Sequence, residues 1–173
     1  MSRIESTGGQ TPRLGEPRSL IRQPGVQTAP VLSPDGRWVA YHSDESGRME
    51  LYVAPMKPDG SLGTGRWPVT AEGATGGARW SRVGQEIFYR GLDRRIWAVP
   101  YKTEADAMFV SGAARQWAQQ RLADVGVYPN FDVAPDGKRM LAIVEAAEPR
   151  PDETHLRLML NVEDELRRRF RGQ

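Results

Sequence analysis

Two histidines, His42 and His155, are the first residues to question for chemistry. A histidine metal site or a Ser–His–Asp relay needs the ring plus suitably placed partners. His42 lies inside the apolar run WVAYHS, and His155 stands just before LRLML. Both read as structural or surface residues. Asp44, Glu45 and Glu50 are close enough in sequence to hold a hard cation through oxygen. Their spacing matches no calcium loop, and the cluster DESGR reads as a solvated hairpin tip. The glycine-rich GATGG, residues 73 to 77, lacks the GK[ST] ending of a phosphate loop and opens no helix, so it reads as a loop. No GxSxG elbow, HRD, DFG or GxGxxG occurs. There is no cysteine, which removes disulfides, thiolate metal sites and cysteine nucleophiles. These readings assign no catalytic residue, no metal ligand and no cofactor.

The 173 residues suffice for one domain with a core, and 27% charged residues with a net charge of +2 describe a globular composition. The basic run RRRFR, residues 167 to 171, could touch nucleic acid or an acidic membrane. Glutamates one turn earlier make it a solvated helix end instead, so no nucleic-acid partner is expected. No apolar run approaches the ~18 residues of a membrane span. MSRIESTGGQTPRLGEPR has no apolar h-region, so it does not read as a signal peptide. The expectation is no membrane insertion, with a cytoplasmic location if the chain is complete. A periplasmic location is expected if it is a piece of a membrane-anchored parent.

The elements that carry these residues repeat. VLSPDGRWVAYHSDESGRMELYV, residues 31 to 53, alternates apolar runs with turn clusters. In SPDG, Pro34 presets φ, Asp35 tolerates the second central position and Gly36 can take positive φ. Its flanks read as strands, and WVAY as one covered on both faces. GARWSRVGQEIFYRGLDRRIWAVPY, residues 77 to 101, writes the pattern again, with SRVG keeping its glycine as Gly84. FDVAPDGKRMLAIV, residues 131 to 144, writes it a third time, with Pro135, Asp136 and Gly137. Ser33 to Ser81 is 48 residues and Ser81 to Ala134 is 53. Periods near ~40–50 residues with three or four strands each are the sign of a β-propeller. Closing strands are expected in GRWPVT (65–70) and in QWAQQRLAD (116–124, which could also be a short helix), and LRLMLNV (156–162) is expected as the third strand of the third unit. RSLI (18–21) would be the last strand of a preceding unit. The five tryptophans, Trp38, Trp67, Trp80, Trp97 and Trp117, read as packing between units.

With those stretches in view, the chain resembles the WD-like β-propeller repeats of TolB-type bacterial proteins. More closely it is similar to the C-terminal propeller segment joined to some bacterial serine/threonine protein kinases. SPDGRWVAYHSDESGRMELYV, RWSRVGQEIFYR, FDVAPDGKRMLAIV and LNVEDELRRRF carry the resemblance, over roughly residues 15 to 170. The last of these is like the strand-to-helix ending of those chains, with Val162 where tryptophan often stands. SRVG departs by lacking the Pro-Asp pair. LNVEDELRRRF also has the physics of a helix from about 162 to 171. Asn161 can cap it, acids fill the first turn and arginines the last, and Val162, Leu166 and Phe170 make an apolar stripe.

The expected fold is therefore all-β. It is a partial β-propeller of about three four-stranded antiparallel blades, near 28–70, 77–122 and 128–162. An extension over 1–27 precedes the blades and a short C-terminal α-helix follows. Gly36, Gly84 and Gly137 are expected at positive φ. The resemblance implies a non-catalytic module that binds a protein or peptide, as the sensor or scaffold part of a larger signalling protein. The alternative is a ligand-binding accessory propeller of a hydrolase or a TolB-like envelope system. A kinase or peptidase domain would then belong to a longer parent. Three blades cannot close a ring, so the remainder of a longer propeller or a homo-oligomer is expected to complete it.

Overall fold

The computed structural model describes residues 4–5, 13–14, 19–104, 108–126 and 128–145. Thirteen strands and no helix occur among them. β1 (Ile4–Glu5) and β2 (Arg13–Leu14) form a small antiparallel pair. β3 (Gln27–Leu32), β4 (Trp38–Ser43), β5 (Glu50–Pro55) and β6 (Trp67–Pro68) make a four-stranded antiparallel sheet in chain order. β7 (Ala74–Trp80), β8 (Glu86–Gly91), β9 (Ile96–Glu104), β10 (Met108–Ser111) and β11 (Arg115–Gln116) make the second sheet, in which β10 and β11 both pair with β9. β12 (Phe131–Val133) and β13 (Met140–Ala142) form a third hairpin. The architecture is all-β and antiparallel. No described helix is long and apolar enough to cross a membrane.

The repeated turn closes the first hairpin of each unit with one backbone bond. Ser33, Ser81 and Ala134 each donate an N–H to the carbonyl five residues on, Trp38, Glu86 and Arg139, all at 2.9 Å. In the first and third loops, Gly36 and Gly137 donate back to Ser33 and Ala134 and take φ of 69° and 67°. This is a type I turn followed by a left-handed residue, a shape glycine adopts without steric cost. Asp35 fixes the first loop further by accepting from the Ser33 hydroxyl at 2.6 Å and the Arg37 N–H at 3.0 Å. The second loop differs from expectation, because Gly84 is not among the glycines at positive φ. There the Ser81 hydroxyl accepts from the N–H groups of Val83 and Gly84, and this side chain shapes the turn in place of the missing Pro-Asp pair. Gly36→Val should therefore lower stability by about 1 kcal/mol or more, and Gly84→Ala should cost clearly less. Equal losses of melting temperature in the two variants would contradict these loop geometries.

In the first two units the fourth strand is broken at a glycine facing a proline. Pro55 ends β5, and the Gly63 N–H donates to its carbonyl at 2.8 Å. Pro100 in β9 and Gly112 repeat this at 2.7 Å. A Cβ on either glycine would come within 3.0 Å of the proline ring. Gly112 thus separates β10 from β11 while both stay on β9, with a one-residue slip in register.

Several expectations change here. The closing strand of the second unit is β10 with β11, so only Gln116 of QWAQQRLAD belongs to it. Leu122, near the end of that stretch, instead bridges to Val144 beside the third hairpin. GATGG is not a loop beyond its first residue. Ala74 to Gly77 begin β7, where the register slips between Thr75 and Ala78 as it does between Thr28 and Val31 in β3. Residues 19 to 21 of RSLI form no strand, because Ile21 packs its side chain against the outer face of the first sheet. LRLMLNV, the helix over 162–171, RRRFR and His155 lie outside the described residues.

Strand alternation then stacks the units. Trp38, Ala40, Leu51 and Val53 point to one side of the first sheet and meet Ala78, Trp80, Ile87, Tyr89, Val99 and Phe109 of the second. Val39, Tyr41, Tyr52 and Ala54 point the other way, toward Ile21, Met56 and Leu62. Phe88, Ile96 and Ala98, on the far side of the second sheet, meet Phe131, Val133, Met140 and Ala142 of the third hairpin. Trp38 and Tyr41, in the strand expected to be covered on both faces, are both buried: Trp38 between two sheets and Tyr41 beside Ile21. Leu141 and Ile143 are exposed.

Candidate functional site

The connector between the first two sheets is held by a buried carboxylate. Glu50 was expected at a solvated hairpin tip, yet it is 3% exposed. Its Oε2 accepts from the Thr70 hydroxyl at 2.5 Å and from the Gly73 N–H at 2.9 Å, and its Oε1 from Arg48 Nε at 2.5 Å. Thr70 Oγ1 in turn accepts from the Leu51 N–H at 2.9 Å. The chain from 69 to 74 is thereby pinned to β5, and a buried carboxylate with this many donors has its desolvation answered. Asp44 and Glu45 are used separately: Asp44 accepts from the Val26 N–H at 2.7 Å, and Glu45 pairs with Arg66 at 3.1 Å. The three acids thus hold three different partners and form no common cation cage.

His42 adds a second clamp. Its Nδ1 lies 3.1 Å from the Ala74 carbonyl, so that nitrogen carries the proton and donates. The ring is 1% exposed, and burial chiefly pushes its pKa below the usual 6.5. It is a neutral imidazole tying the first sheet to the start of the second. Arg90 stands at the matching position of β8, one residue after a tyrosine as His42 is. It donates to the Thr75 hydroxyl at 3.1 and 3.0 Å and to the Gly126 carbonyl at 3.2 Å. The same strand position thus reaches a backbone carbonyl at the start of the next unit twice.

The pinned connector forms one wall of a cleft of about 640 Å³ whose other wall is the second sheet. Val69, Thr70, Glu72 and Gly73 line that wall. Tyr89, Leu92, Asp93 and Trp97 line the opposite one. It opens at the ends of the strands away from the three repeated loops. Pro34, Asp35 and Gly36, Gly84, and Pro135, Asp136 and Gly137 therefore lie on the other rim. There Val83 packs against Gly137, and Asp136 accepts from the Lys138 N–H and Arg139 Nε. Those residues shape turns, and the cleft lies elsewhere.

Electrostatics give the cleft its character. Tyr89 is 6% exposed, and burial, with Glu72, Asp93 and Glu50 nearby, pushes its pKa up to about 12. It is a phenol, not a phenolate, at any ordinary pH. Burial raises Asp93, but the Arg95 N–H, the Trp97 indole N–H and the Arg95 side chain outweigh it, so its carboxyl sits below the usual range. Asp93 is therefore ionised at neutral pH, and Trp97 is locked against it at 3.2 Å. Two carboxylates, a phenol and an indole are recognition groups. From sequence, Tyr89 reads as a strand residue of EIFYR and Trp97 as packing between units, and nothing local marks either as part of a cleft.

Against known proteins, the chain matches no family model, no curated protein and no solved structure.

Proposed function

We infer that this chain is a WD-like β-propeller module of the TolB type, non-catalytic, that binds a protein or peptide. On this reading it is the sensor or scaffold part of a larger bacterial signalling protein, similar to the propeller segments joined to serine/threonine kinases. The observation that supports it most is the repeated way the units stack. The second sheet turns one face to the first and the other to the third hairpin, and His42 and Arg90 cross the two boundaries at matching positions. Repeat architectures of this kind carry function on surfaces between and around the units rather than in a catalytic core.

Selection of a displayed random-peptide library on the immobilised chain tests the reading. Enriched peptides that bind saturably with one-to-one stoichiometry are expected. A library that yields no saturable binder would count against it. So would ATP hydrolysis or peptide cleavage by the pure protein that a single substitution in this chain abolishes.

A further inference from the structure

We propose that the cleft between the 69–73 connector and the second sheet is a binding site for a lysine side chain of a peptide partner. The proposal rests on the peptide-binding reading and names the group recognised. Three features of the cleft converge on an alkylammonium ion. Its volume, about 640 Å³, is in the range of sites that enclose a side chain with its flanking backbone. Its walls pair apolar surface from Val69, Leu92 and Trp97 with the acids Glu72 and Asp93, which suits an apolar stem that ends in a positive charge.

The third feature is Tyr89. The side chain is more than nine-tenths buried and lines the cleft, yet its hydroxyl has no hydrogen-bond partner among the described residues. Nor is that oxygen one of the described side-chain atoms sealed from solvent without a partner, and the residue lines the cleft. A buried phenol is normally satisfied by a partner. Here an ammonium N–H supplies the donor that the protein does not.

The two acids play different parts. Asp93 already accepts from the Arg95 N–H and the Trp97 indole, and faces the Arg95 side chain at 3.5 Å, so much of its charge is answered. It holds the indole in place. Glu72 is exposed and makes no ion pair among the described residues, so it is the carboxylate that meets the ligand's charge. An ammonium lodged beside Glu72 and the Tyr89 oxygen also lies near the Tyr89 and Trp97 rings, where a cation gains from the ring faces. Lysine fits better than a bulk cation, because its stem covers Leu92 and Val69 while its head meets the acid.

Titration of the whole chain with acetyl-Gly-Lys-Gly-amide, followed by protein NMR, tests this. Saturable shifts are expected at the Trp97 indole N–H and at the backbone amides of Gly73 and Gly91. Glu72→Gln and Tyr89→Phe should each weaken binding about tenfold, the equivalent of one charge-assisted contact. Glu104→Gln, at the far end of β9, should leave it unchanged. The peptide with norleucine in place of lysine should bind at least about tenfold more weakly. Equal binding of the norleucine peptide, shifts outside the cleft, or equal loss in the Glu104 variant would overturn the proposal. If selected peptides bind saturably while the lysine peptide leaves the cleft untouched, the cleft assignment falls and the binding-module reading stands. If neither binds, both fall.

Discussion

Truncation of Trp80 to alanine should cost about 3–5 kcal/mol of stability, the usual range for emptying a buried aromatic site. Trp80 is 6% exposed at the boundary of the first two sheets. Its ring meets Tyr101 edge-on at 5.2 Å and Phe109 at 6.2 Å. Its indole N–H crosses the boundary to donate to the Val31 carbonyl at 3.1 Å. The substitution therefore leaves a void between rigid sheets and removes the donor that a carbonyl of β3 faces. Neither sheet can shift to fill the void without breaking its strand ladder, so the loss should sit at the upper end of the range. Globular domains hold only about 5–15 kcal/mol in total. Urea unfolding should show a much lower midpoint at unchanged slope. Leu92→Ala, at an exposed position, should change stability by no more than about 0.5 kcal/mol. A Trp80 variant within about 1 kcal/mol of the parent would mean that the two sheets do not depend on each other.

Trp80 also shows how far the sequence could be read. A tryptophan just before a turn that repeats SPDG marks a strand end, and the apolar runs on either side give the alternation that places it inside. The repeated hairpins were legible for that reason: turn residues and two-residue periodicity are local. The broken fourth strands were not, because a two-residue strand such as Arg115–Gln116 has too little pattern to see. The paired signal was present, since Pro55 with Gly63 repeats as Pro100 with Gly112, but its meaning is a contact across strands. Glu50 was misread for the same kind of reason. Its neighbours SGR and ME suggest a wet turn, and only the fold of the connector brings Thr70 and Gly73 onto its oxygens. Tyr89 could be placed in a strand from EIFYR, whereas the cleft it lines exists only once the 69–73 connector meets the second sheet. His42 read as structural or surface, and the carbonyl it meets, that of Ala74, lies in a stretch read as a loop.

The open face of the third hairpin leads to the other large expectation: the 173-residue chain should associate into closed pairs as its concentration rises. Leu141 and Ile143 are 81% and 58% exposed. The matching residues of the first two units, Ala40 with His42 and Phe88 with Arg90, are covered by the next unit along. Among the described residues nothing covers the third. At the other end of the stack, Leu20, Ile21, Tyr41, Ala54 and Leu62 border a cleft of about 380 Å³. One end thus presents apolar side chains and the other a recess of apolar residues to which Arg22, Gln23 and Arg66 also contribute, the ingredients of a head-to-tail contact. Burying one leucine and one isoleucine gains about 3–6 kcal/mol, while association costs about 4–15 kcal/mol. A single such contact is therefore weak. A closed pair makes the contact twice for one loss of rigid-body freedom, and two copies of three units would supply about six blades, within the range of about 4–8 that close a propeller. Closure should make dimers outcompete open chains. Sedimentation equilibrium should show monomer and dimer without a ladder of higher species, and Leu141→Asp with Ile143→Asp should return the chain to monomer without loss of melting temperature. A ladder of trimers and tetramers would exclude closure. A parent chain that stays monomeric at every concentration would show that this face is covered within one molecule.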